Sequence, residues 1–596
     1  MQFLLTAINA KYIHSNPAIY SLWAYAGAEL QPFIGLAEYT INHRTDEILG
    51  DLYRRKPDVI GFSCYIWNYG LVCELLREIP KVLPETDIWL GGPEVSFEAE
   101  KILARFPMVR GIMAGEGEGT FRDLLLWYVR RERPEEEIAG KCKYACVEEI
   151  PGLVLPEGAT PVRNLLEIDK LPFPYEAASG WGKFDNRIIY YETSRGCPFR
   201  CSYCLSSIDK RVRLRDFRQV KRELQFFLDK KVPQVKLTDR TFNCNYVHAM
   251  KIWKYIKEHD NGVTNFHFEI AADIMREEEL DLLGQMRPGL IQLEIGVQST
   301  NLRTLREINR SADIARIGEA AERIRSCHNI HIHLDLIAGL PFEDFDSFGK
   351  SFNDVYAMKP HQLQLGFLKV LKGTGIWERA DEYGIVYQSR PPYEVLSTRW
   401  ISYGGILKLK QIEEMVELYY NSNQFTHILP VLVRSFQGPF EMFWQLASFY
   451  EEKGYFTNSP ARSYRYQVLL DFALGKAPEK EGLLRELFTF DYYLRENAKS
   501  RPHFGADLSS YRESIWEFYQ KEENKPEFLQ EYSGFHARQT MKMTHMDVFF
   551  YPVWEEDIDC LQTRRESPAF VLFDYKKRDA LTGEAAVRVV SDFCGQ

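Results

Sequence analysis

The sequence has no run of apolar residues long enough to cross a bilayer, which argues against a helical membrane protein. Its N-terminal run, Met-Gln-Phe-Leu-Leu-Thr-Ala-Ile-Asn-Ala, contains no basic residue and predicts a strand rather than a signal peptide. An excess of positive charge is also absent, because 74 lysine and arginine residues are outnumbered by 84 acidic residues, which gives a net charge of −10. This balance gives no general case for nucleic-acid binding.

Internal repeats and low-complexity tracts are absent as well. Cysteines number eleven, an odd count in a chain without an export signal, so we expect free thiols and a cytoplasmic location. A length of 596 residues predicts roughly three or four domains, and a hydrophobic content of 45% supports sizeable cores.

A fourth cysteine is missing from the one loop in which thiols cluster. Cys197, Cys201 and Cys204 have the spacing C-x3-C-x2-C, and the following Leu-Ser-Ser-Ile-Asp-Lys offers neither Cys nor His. Three thiolates can hold three corners of a cubane iron–sulfur cluster and leave one iron open to a small molecule. A zinc site is the alternative, but such sites usually bring a fourth Cys or His ligand at short spacing.

This spacing, after a predicted strand and an Arg-Gly turn, resembles the radical SAM family. The resemblance implies a [4Fe-4S] cluster whose open iron binds S-adenosylmethionine (SAM). It also implies that one electron from the cluster cleaves SAM to a 5′-deoxyadenosyl radical. Tyr203, within the loop, is a further candidate for cofactor binding.

Residues 1–130 alternate strand and helix patterns, which predicts an α/β domain with a parallel sheet covered by helices on both faces. The predicted strands are Phe3–Ile8, Ile34–Ile41, Val59–Cys64, Ile88–Leu90 and Val109–Met113, with helices such as Thr45–Arg55 and Tyr69–Val82 between them. Ligands of such sheets bind beyond the carboxyl ends of the strands.

Those strand ends carry the runs Ser-x-x-x-Trp-Asn, Gly-Gly-Pro-Glu and Gly-Glu-Gly-Glu. Their glycines let backbone approach a bulky ligand, and their polar side chains can bind amides. Any Rossmann-like ligand domain is compatible with these features, but their order before the cysteine loop resembles the cobalamin-binding domain of cobalamin-dependent radical SAM enzymes. The candidate cobalamin-binding residues are Ser63, Asn68, Gly91, Gly92, Glu94, Gly115 and Glu116.

The motif Asp-x-His-x-x-Gly, whose histidine ligates cobalt in ordinary cobalamin domains, is absent. The corresponding loop contains one histidine, His14, and a loop histidine more often forms a plain hydrogen bond. We therefore expect bound cobalamin to have no histidine ligand from the protein.

Residues 131–185 read as a linker with a possible hairpin at its Pro-Gly and Glu-Gly turns. From 186 to 375 the β/α alternation returns with six predicted strands, at Arg187–Glu192, Gln234–Thr238, Asn265–Ile270, Leu290–Ile295, Ile330–Ile337 and Gln362–Lys369. Six strands predict a partial (β/α)6 barrel, open on one side, with its chemistry at the carboxyl ends of the strands.

Polar residues follow those strands: Asp239, Glu269, Gln298, Arg310 and Asp335. Their pattern resembles the barrel of the anaerobic coproporphyrinogen dehydrogenase. The resemblance implies that Tyr191 and Glu269 bind the cluster-bound SAM, and that Gln298, Arg310 and Asp335 line the inner cavity. Physically, SAM offers a carboxylate for Arg310 and ribose hydroxyls for Glu269, although each residue could instead form a structural ion pair.

Residues 376–596 lose this alternation and predict a mainly α-helical C-terminal domain, resembling a family of cobalamin-type radical SAM proteins whose C-terminal domain has no assigned function. The whole pattern predicts a radical SAM enzyme that uses the cluster, SAM and cobalamin to methylate an unactivated carbon. Alternatives are a radical rearrangement or cyclisation without methyl transfer, and a non-catalytic cobalamin- or redox-responsive binding protein. The expected partners are a small-molecule or peptide substrate and a reductant such as flavodoxin or ferredoxin, with no membrane and no nucleic acid.

Overall fold

The computed structural model describes residues 1–177, 184, 186–498, 500–555 and 557–590. Its first part alternates strands and helices in the predicted order. The elements are β1 (Phe3–Asn9), α1 (Pro17–Ala26), β2 (Ile34–Thr40), α2 (Thr45–Arg55), β3 (Val59–Ser63), α3 (Tyr69–Val82), β4 (Asp87–Gly91), α4 (Pro93–Ser96), α5 (Ala99–Arg105), β5 (Val109–Met113), α6 (Gly117–Glu132), β6 (Leu153–Leu155) and β7 (Gly158–Ala159).

These strands form one sheet in the order β2-β1-β3-β4-β5-β6-β7. The first five run parallel, and the short hairpin β6–β7 extends the sheet in antiparallel pairing. Every residue of β1 is buried, as expected for a parallel strand with helices on both faces. The carboxyl ends of the five parallel strands therefore meet at one edge.

A second parallel sheet forms an open barrel of six strands in the order β15-β14-β13-β12-β11-β8. This region comprises α7 (Pro174–Ala177), β8 (Ile189–Tyr191), β9 (Ser194–Arg195), β10 (Arg213–Leu214), α8 (Phe217–Asp229), β11 (Gln234–Leu237), α9 (Tyr246–Glu258), β12 (Asn265–Ile270), α10 (Glu277–Gly284), β13 (Ile291–Gln298), α11 (Leu302–Glu307), α12 (Ile314–Arg325), β14 (His331–Ala338), α13 (Phe345–Ala357), β15 (Gln362–Phe367) and α14 (Gly375–Glu378).

Both edges of the open barrel are covered by the flanking regions. On the β15 side, the amide of Asn421 accepts a hydrogen bond from the Leu363 N–H and donates one to the Leu363 carbonyl, each at 2.9 Å. On the β8 side, the Ile188 N–H donates to the carbonyl of Ile13 in the first-strand loop at 2.7 Å. These contacts satisfy backbone groups that an edge strand would otherwise leave exposed.

The C-terminal region is mainly helical and ends in a three-stranded antiparallel sheet. Its elements are β16 (Val386–Tyr387), β17 (Val395–Ser397), α15 (Tyr403–Met415), a π-helical turn (Val416–Tyr420), α16 (Ile428–Val433), α17 (Pro439–Glu452), α18 (Arg465–Lys476), α19 (Glu481–Arg495), α20 (Arg512–Asn524), α21 (Ala537–Met543), β18 (Thr544–Phe549), β19 (Ala569–Arg578) and β20 (Ala585–Val590). Phe440 of α17 packs on Phe352 of α13 with ring centroids 5.6 Å apart, which joins this region to the barrel. None of the described helices combines the length and apolarity needed to cross a membrane.

Candidate active site

The three cysteines lie in the loop between β9 and β10, two short strands that pair antiparallel. Gly196 opens the loop with φ +92°, and a Cβ there would lie 2.3 Å from the carbonyl oxygen of Arg211. The N–H of Cys197 donates to the carbonyl of Asp209 at 3.0 Å. The glycine of the Arg-Gly-Cys run is therefore required by a tight backbone crossing that presents the first thiol.

Arg310 lies against this loop as a cation. Its Nη1 is 3.7 Å from the Sγ of Cys201 and 3.4 Å from the hydroxyl of Tyr203. Its Nε is buried and has no hydrogen-bond partner among the described residues. Thr241 adds a hydroxyl 3.6 Å from the Sγ of Cys197. A buried guanidinium with a free donor suits both an anionic cluster and the carboxylate of SAM.

Among the described residues, no three Cys, His, Asp or Glu side chains converge on a position for a single metal ion. A four-iron cluster does not require such convergence, because each of its cysteines binds a different iron. Cys197 and Cys201 are buried and Cys204 is half-buried, and all three are free thiols. The loop thus fits a cluster that is held at three corners.

Glu269 faces the barrel mouth from the end of β12. Its Oε1 lies 3.8 Å from the Nζ of Lys236, which in turn lies 3.0 Å from Glu294. Burial, reinforced by the charge of Glu294, raises the pKa of Glu269 to about 7. Burial also opposes ionisation of Glu294, but hydrogen bonding from His267, together with Lys236, lowers the pKa of Glu294 to about 2. The mouth therefore holds one firmly ionised carboxylate and one that titrates near neutrality.

Gln298 and Arg310 are brought together at the next strand end. Gln298 sits at an irregularity of β13 with φ +73°, and a Cβ on Gly296 would lie 2.1 Å from its Nε2. The carbonyl of Gly296 accepts a hydrogen bond from Arg310. Asp335 lies on the neighbouring strand with its Oδ1 3.0 Å from the Nε2 of His333, and burial raises its pKa.

A cavity of about 800 Å³ separates the first domain from the barrel. Its barrel wall includes Tyr190, Lys236 and Glu269, its first-domain wall includes His14 and Trp67, and the cysteine loop contributes Gly196 and Leu205. One continuous space therefore meets the cysteine loop, the barrel mouth and the strand ends of the first domain.

A second cavity, of about 580 Å³, lies at the carboxyl ends of β3, β4 and β5 and shares Leu205 with the first. Ser63, Gly91, Gly92 and Gly115, four of the predicted cobalamin-binding residues, line it. A Cβ on Gly115 would have no atom within 4 Å, so this position leaves open space for a ligand. Two adjoining cavities in these places fit a bulky cofactor that lies between the domains and extends into the first.

Two candidate residues instead use their polar atoms in hydrogen bonds within the protein. Asn68 is fully buried, and its amide donates to the carbonyls of Ile8 at 3.0 Å and Ser63 at 2.8 Å. Asp239 is also fully buried and accepts from the hydroxyls of Thr193 and Ser194, each at 2.6 Å. We correct the expectation that these two side chains bind a cofactor, because their polar atoms are engaged within the protein.

The two acidic candidates of the first domain form ion pairs between domains. Glu116 lies 2.6 Å from the Nη2 of Arg213, and Glu94 lies 3.5 Å from the Nζ of Lys372 and accepts from the hydroxyl of Tyr393. These carboxylates join the first domain to the barrel region, and both also line the cavity of about 800 Å³, so their contact with cobalamin stays a prediction.

Tyr191 points away from the cavity, which corrects its predicted contact with SAM. Its hydroxyl donates to Glu223 of α8 at 2.7 Å on the outer, helix-covered face of β8. Successive side chains of a strand face opposite sides, so Tyr190 faces inward and its hydroxyl lies 2.6 Å from the Nδ1 of His14. Tyr190 and Lys236 were not predicted as site residues, although the alternation of side chains along their strands would have placed both inside the barrel.

The expectation that His14 does not bind cobalt stays a prediction.

Three family models match the chain in succession. The model described as "B12 binding domain" matches residues 5–125, "Radical SAM superfamily" matches 191–355, and "Protein of unknown function (DUF4080)" matches 381–573. The first two descriptions agree with the two predicted cofactor domains, and the third covers most of the helical C-terminal region.

Two curated relatives resemble this chain in sequence, and one solved structure resembles it in fold. The 2-(S-pantetheinyl)-carbapenam-3-carboxylate methyltransferase of Streptantibioticus cattleyicolor is 25% identical over 51% of this chain and 46% of its own length. The cobalamin-dependent radical SAM methyltransferase TokK of Streptomyces tokunonensis is 24% identical over 56% and 51%. The chain thus spans about half the length of these relatives. The structure of the cobalamin-dependent SAM radical enzyme OxsB, with aqua-cobalamin and SAM bound, is 16% identical, covers 82% of this chain and 78% of its own, and has a TM-score of 0.54, which shows a shared fold.

Proposed function

We propose that this chain, a member of the cobalamin-dependent radical SAM family, is a methyltransferase that acts on an unactivated carbon of a small molecule. The observation that supports this proposal most is the cavity of about 800 Å³ on which the cysteine loop, Glu269 and the first domain all converge. An enzyme that combines two cofactors needs their reactive parts in one enclosed space with the substrate. The curated methyltransferase relatives support the same reaction class.

The chain's own residues have distinct tasks in this proposal. Arg310, whose Nη1 lies beside Cys201 and whose buried Nε has no partner among the described residues, would receive the carboxylate of SAM. Glu269 would accept hydrogen bonds from the ribose, and its carboxylate form would also favour the positive charge of SAM. When bound, the cluster and cobalamin would supply the electron for SAM cleavage and the transferable methyl group. Enclosure between the domains would keep water from a reactive radical.

The cluster is the first component to test. We expect anaerobic reconstitution to load about four irons per chain, and Cys201→Ala to lose both the iron and 5′-deoxyadenosine formation. Cys146→Ala is the matched control, because Cys146 is an exposed free thiol outside the loop. Iron analysis and chromatography of the SAM products measure both. Full SAM cleavage by Cys201→Ala would overturn the assignment. The use of flavodoxin or ferredoxin as reductant, and the cytoplasmic location, stay predictions.

A further inference from the structure

A third cavity, of about 950 Å³, adjoins the first cavity of about 800 Å³, which we call the cofactor cavity. It is a groove between helices α3 and α5 of the first domain and the segment 370–393 that follows the barrel. Residues that line it include Tyr69, Arg77, Arg105, Trp377, Tyr387 and Arg390. We call it the basic groove.

Two cations of the basic groove are held at one aromatic ring. The guanidinium carbons of Arg77 and Arg105 lie 5.5 and 5.2 Å from the centroid of Phe106. Arg77 donates to the carbonyl of Cys73 at 3.0 Å, and among the described residues no carboxylate pairs with either arginine.

Lys101 and Lys372 also line the groove, together with two carboxylates, Glu74 and Glu98, so cations outnumber carboxylates there, whereas the whole protein has a net charge of −10. Arg390 adds a third exposed guanidinium from the opposite wall. Like charges brought together repel each other unless an anion lies between them. Guanidinium groups in a concave site are also the preferred partners of carboxylates and phosphates.

Aromatic side chains give the groove a second property. Tyr69 on one wall, and Trp377 and Tyr387 on the other, border the same space. Such rings offer apolar surface and flat faces for stacking. The groove therefore suits a small anion with an apolar or planar part better than a bare inorganic ion.

The basic groove and the cofactor cavity share a wall. Lys372 lines both, and its Nζ lies 3.0 Å from Glu98 and 3.5 Å from Glu94. Glu94 belongs to the cofactor cavity and accepts a hydrogen bond from Tyr393, which belongs to the groove. A ligand held in the groove would thus lie directly beside the space in which methyl transfer is proposed.

We propose that the basic groove binds the anionic group, a carboxylate or a phosphate ester, of the enzyme's small-molecule substrate. This inference rests on the proposed function for the identity of the ligand, but anion binding itself can be measured without cluster, cobalamin or turnover. A failure of methyl transfer and a failure of this proposal are therefore distinguishable.

The test is calorimetric titration of the full chain with phenyl phosphate and, separately, with benzoate. We expect at least one of them to bind saturably, more weakly at higher salt, and Arg77→Gln/Arg105→Gln to lose about tenfold or more in affinity. Which probe binds distinguishes a phosphate site from a carboxylate site. Arg131→Gln/Arg133→Gln is the matched control, because these arginines also stack on rings, those of Trp127 and Phe33, and do not line the groove.

Arg390→Gln provides a second variant on the opposite wall, should the double variant fail to fold, and we expect it to weaken binding in the same direction. Equal affinity of the groove variants and the control, or no saturable binding of either probe by the wild type, would overturn the proposal. Binding of an acidic protein such as flavodoxin without binding of either probe would also overturn it, since the groove would then be a protein-docking surface.

Discussion

Glu269 is the residue at which the electrostatics of the barrel mouth bear most directly on SAM. The ammonium of Lys236 lies near both Glu269 and the firmly ionised Glu294. Because the pKa of Glu269 is raised to about 7, it is mostly neutral in mild acid and mostly a carboxylate in mild base. The raised pKa also means that ionisation of Glu269 costs folding stability, and that this cost is incurred as pH rises towards and through 7.

The affinity for SAM should therefore rise with pH through about 7, since a cation prefers the carboxylate form of Glu269. The expected gain is at most about tenfold per pH unit, the limit for release of one proton. Glu269→Gln should bind SAM more weakly at high pH and lose much of this slope. Equilibrium dialysis between pH 6 and 8 measures the affinity for SAM, and Glu277→Gln, at an exposed position, is the control. Because SAM itself titrates, the difference in slope between variant and wild type is the quantity to compare. Identical slopes would contradict a contact between Glu269 and SAM.

Residue roles were predictable where spacing carries the chemistry and uncertain where a side chain's direction decides. The spacing of Cys197, Cys201 and Cys204 along the sequence is enough to indicate three cluster ligands without a structure. Tyr191 differs from Tyr190 by one position, and that one position turns a side chain to the other face of the strand. Asn68 could equally bind a ligand or its own loop, and only the folded loop shows that its amide is used internally.

At the scale of elements, the start of α6 fastens the first domain to the cysteine loop. Glu118 lies 2.6 Å from the Nη2 of Arg195, and Glu116 lies 2.6 Å from the Nη2 of Arg213. All four side chains are largely buried, so each carboxylate is paired with a cation in a poorly hydrated place. The Gly-Glu-Gly-Glu run therefore positions the hairpin that carries the loop.

Glu118→Gln should loosen this attachment, because an isosteric amide leaves the charge of Arg195 without its closest partner. Arg195 keeps Glu192 at 2.9 Å and Glu116 at 3.3 Å, so we expect a loss below the about 3 kcal/mol that removing one member of an isolated buried pair costs. We expect faster removal of cluster iron by a chelator and a lower midpoint of thermal unfolding. Glu132→Gln, an exposed change at the end of the same helix, is the control. If both variants release iron at the wild-type rate, the pairing does not position the loop.

The end of β4 offers a test of the proposal that cobalamin enters the second cavity, of about 580 Å³. A Cβ on Gly92 would lie 2.4 Å from the carbonyl oxygen of Cys64, and its φ is +111°, so that glycine is required by the backbone itself. Gly91 has no such restriction, since its Cβ would meet Met113 at an ordinary 3.6 Å. A larger side chain at Gly91 would therefore enter the cavity without disrupting the turn.

Gly91→Leu should reduce cobalamin binding by about tenfold or more through loss of space, while iron content stays at the wild-type level. Absorbance of protein-bound cobalamin after gel filtration measures cobalamin binding, and iron analysis measures the iron content. Gly140→Leu controls for adding the same side chain at an open position, where no atom lies within 4 Å of the Cβ. Unchanged cobalamin binding by Gly91→Leu would place the cofactor elsewhere.

Helices and strands with regular periodicity were predicted well, and one C-terminal strand with a buried carboxylate was not. Helices α2 and α3 have the predicted bounds, because apolar residues recur on one face. Strand β18 was missed, because Asp547 interrupts its apolar pattern. Asp547 is buried, and its partner Arg501, 2.6 Å away, comes from a segment 46 residues earlier in the chain.

At the scale of the whole molecule, each flanking region covers one edge of the open barrel. The first domain reaches β8 through Ile13, and the C-terminal region reaches β15 through Asn421. The order of domains could be read along the chain, because each has its own periodicity and motifs. Their mutual contacts could not, because ion pairs and edge contacts join residues that are far apart in sequence. The cavity between the domains is a property of that assembly.

The most direct test of cobalamin-dependent radical methyl transfer is product analysis under anaerobic, reducing conditions. The protein, loaded with iron–sulfur cluster and cobalamin, is incubated with SAM, and the nucleoside products are separated by liquid chromatography with mass detection. We expect 5′-deoxyadenosine and S-adenosylhomocysteine to accumulate together, and both to disappear in Cys201→Ala. 5′-Deoxyadenosine alone would instead indicate a radical rearrangement or cyclisation, and neither product would indicate a non-catalytic binding protein. Either of these results would contradict the account.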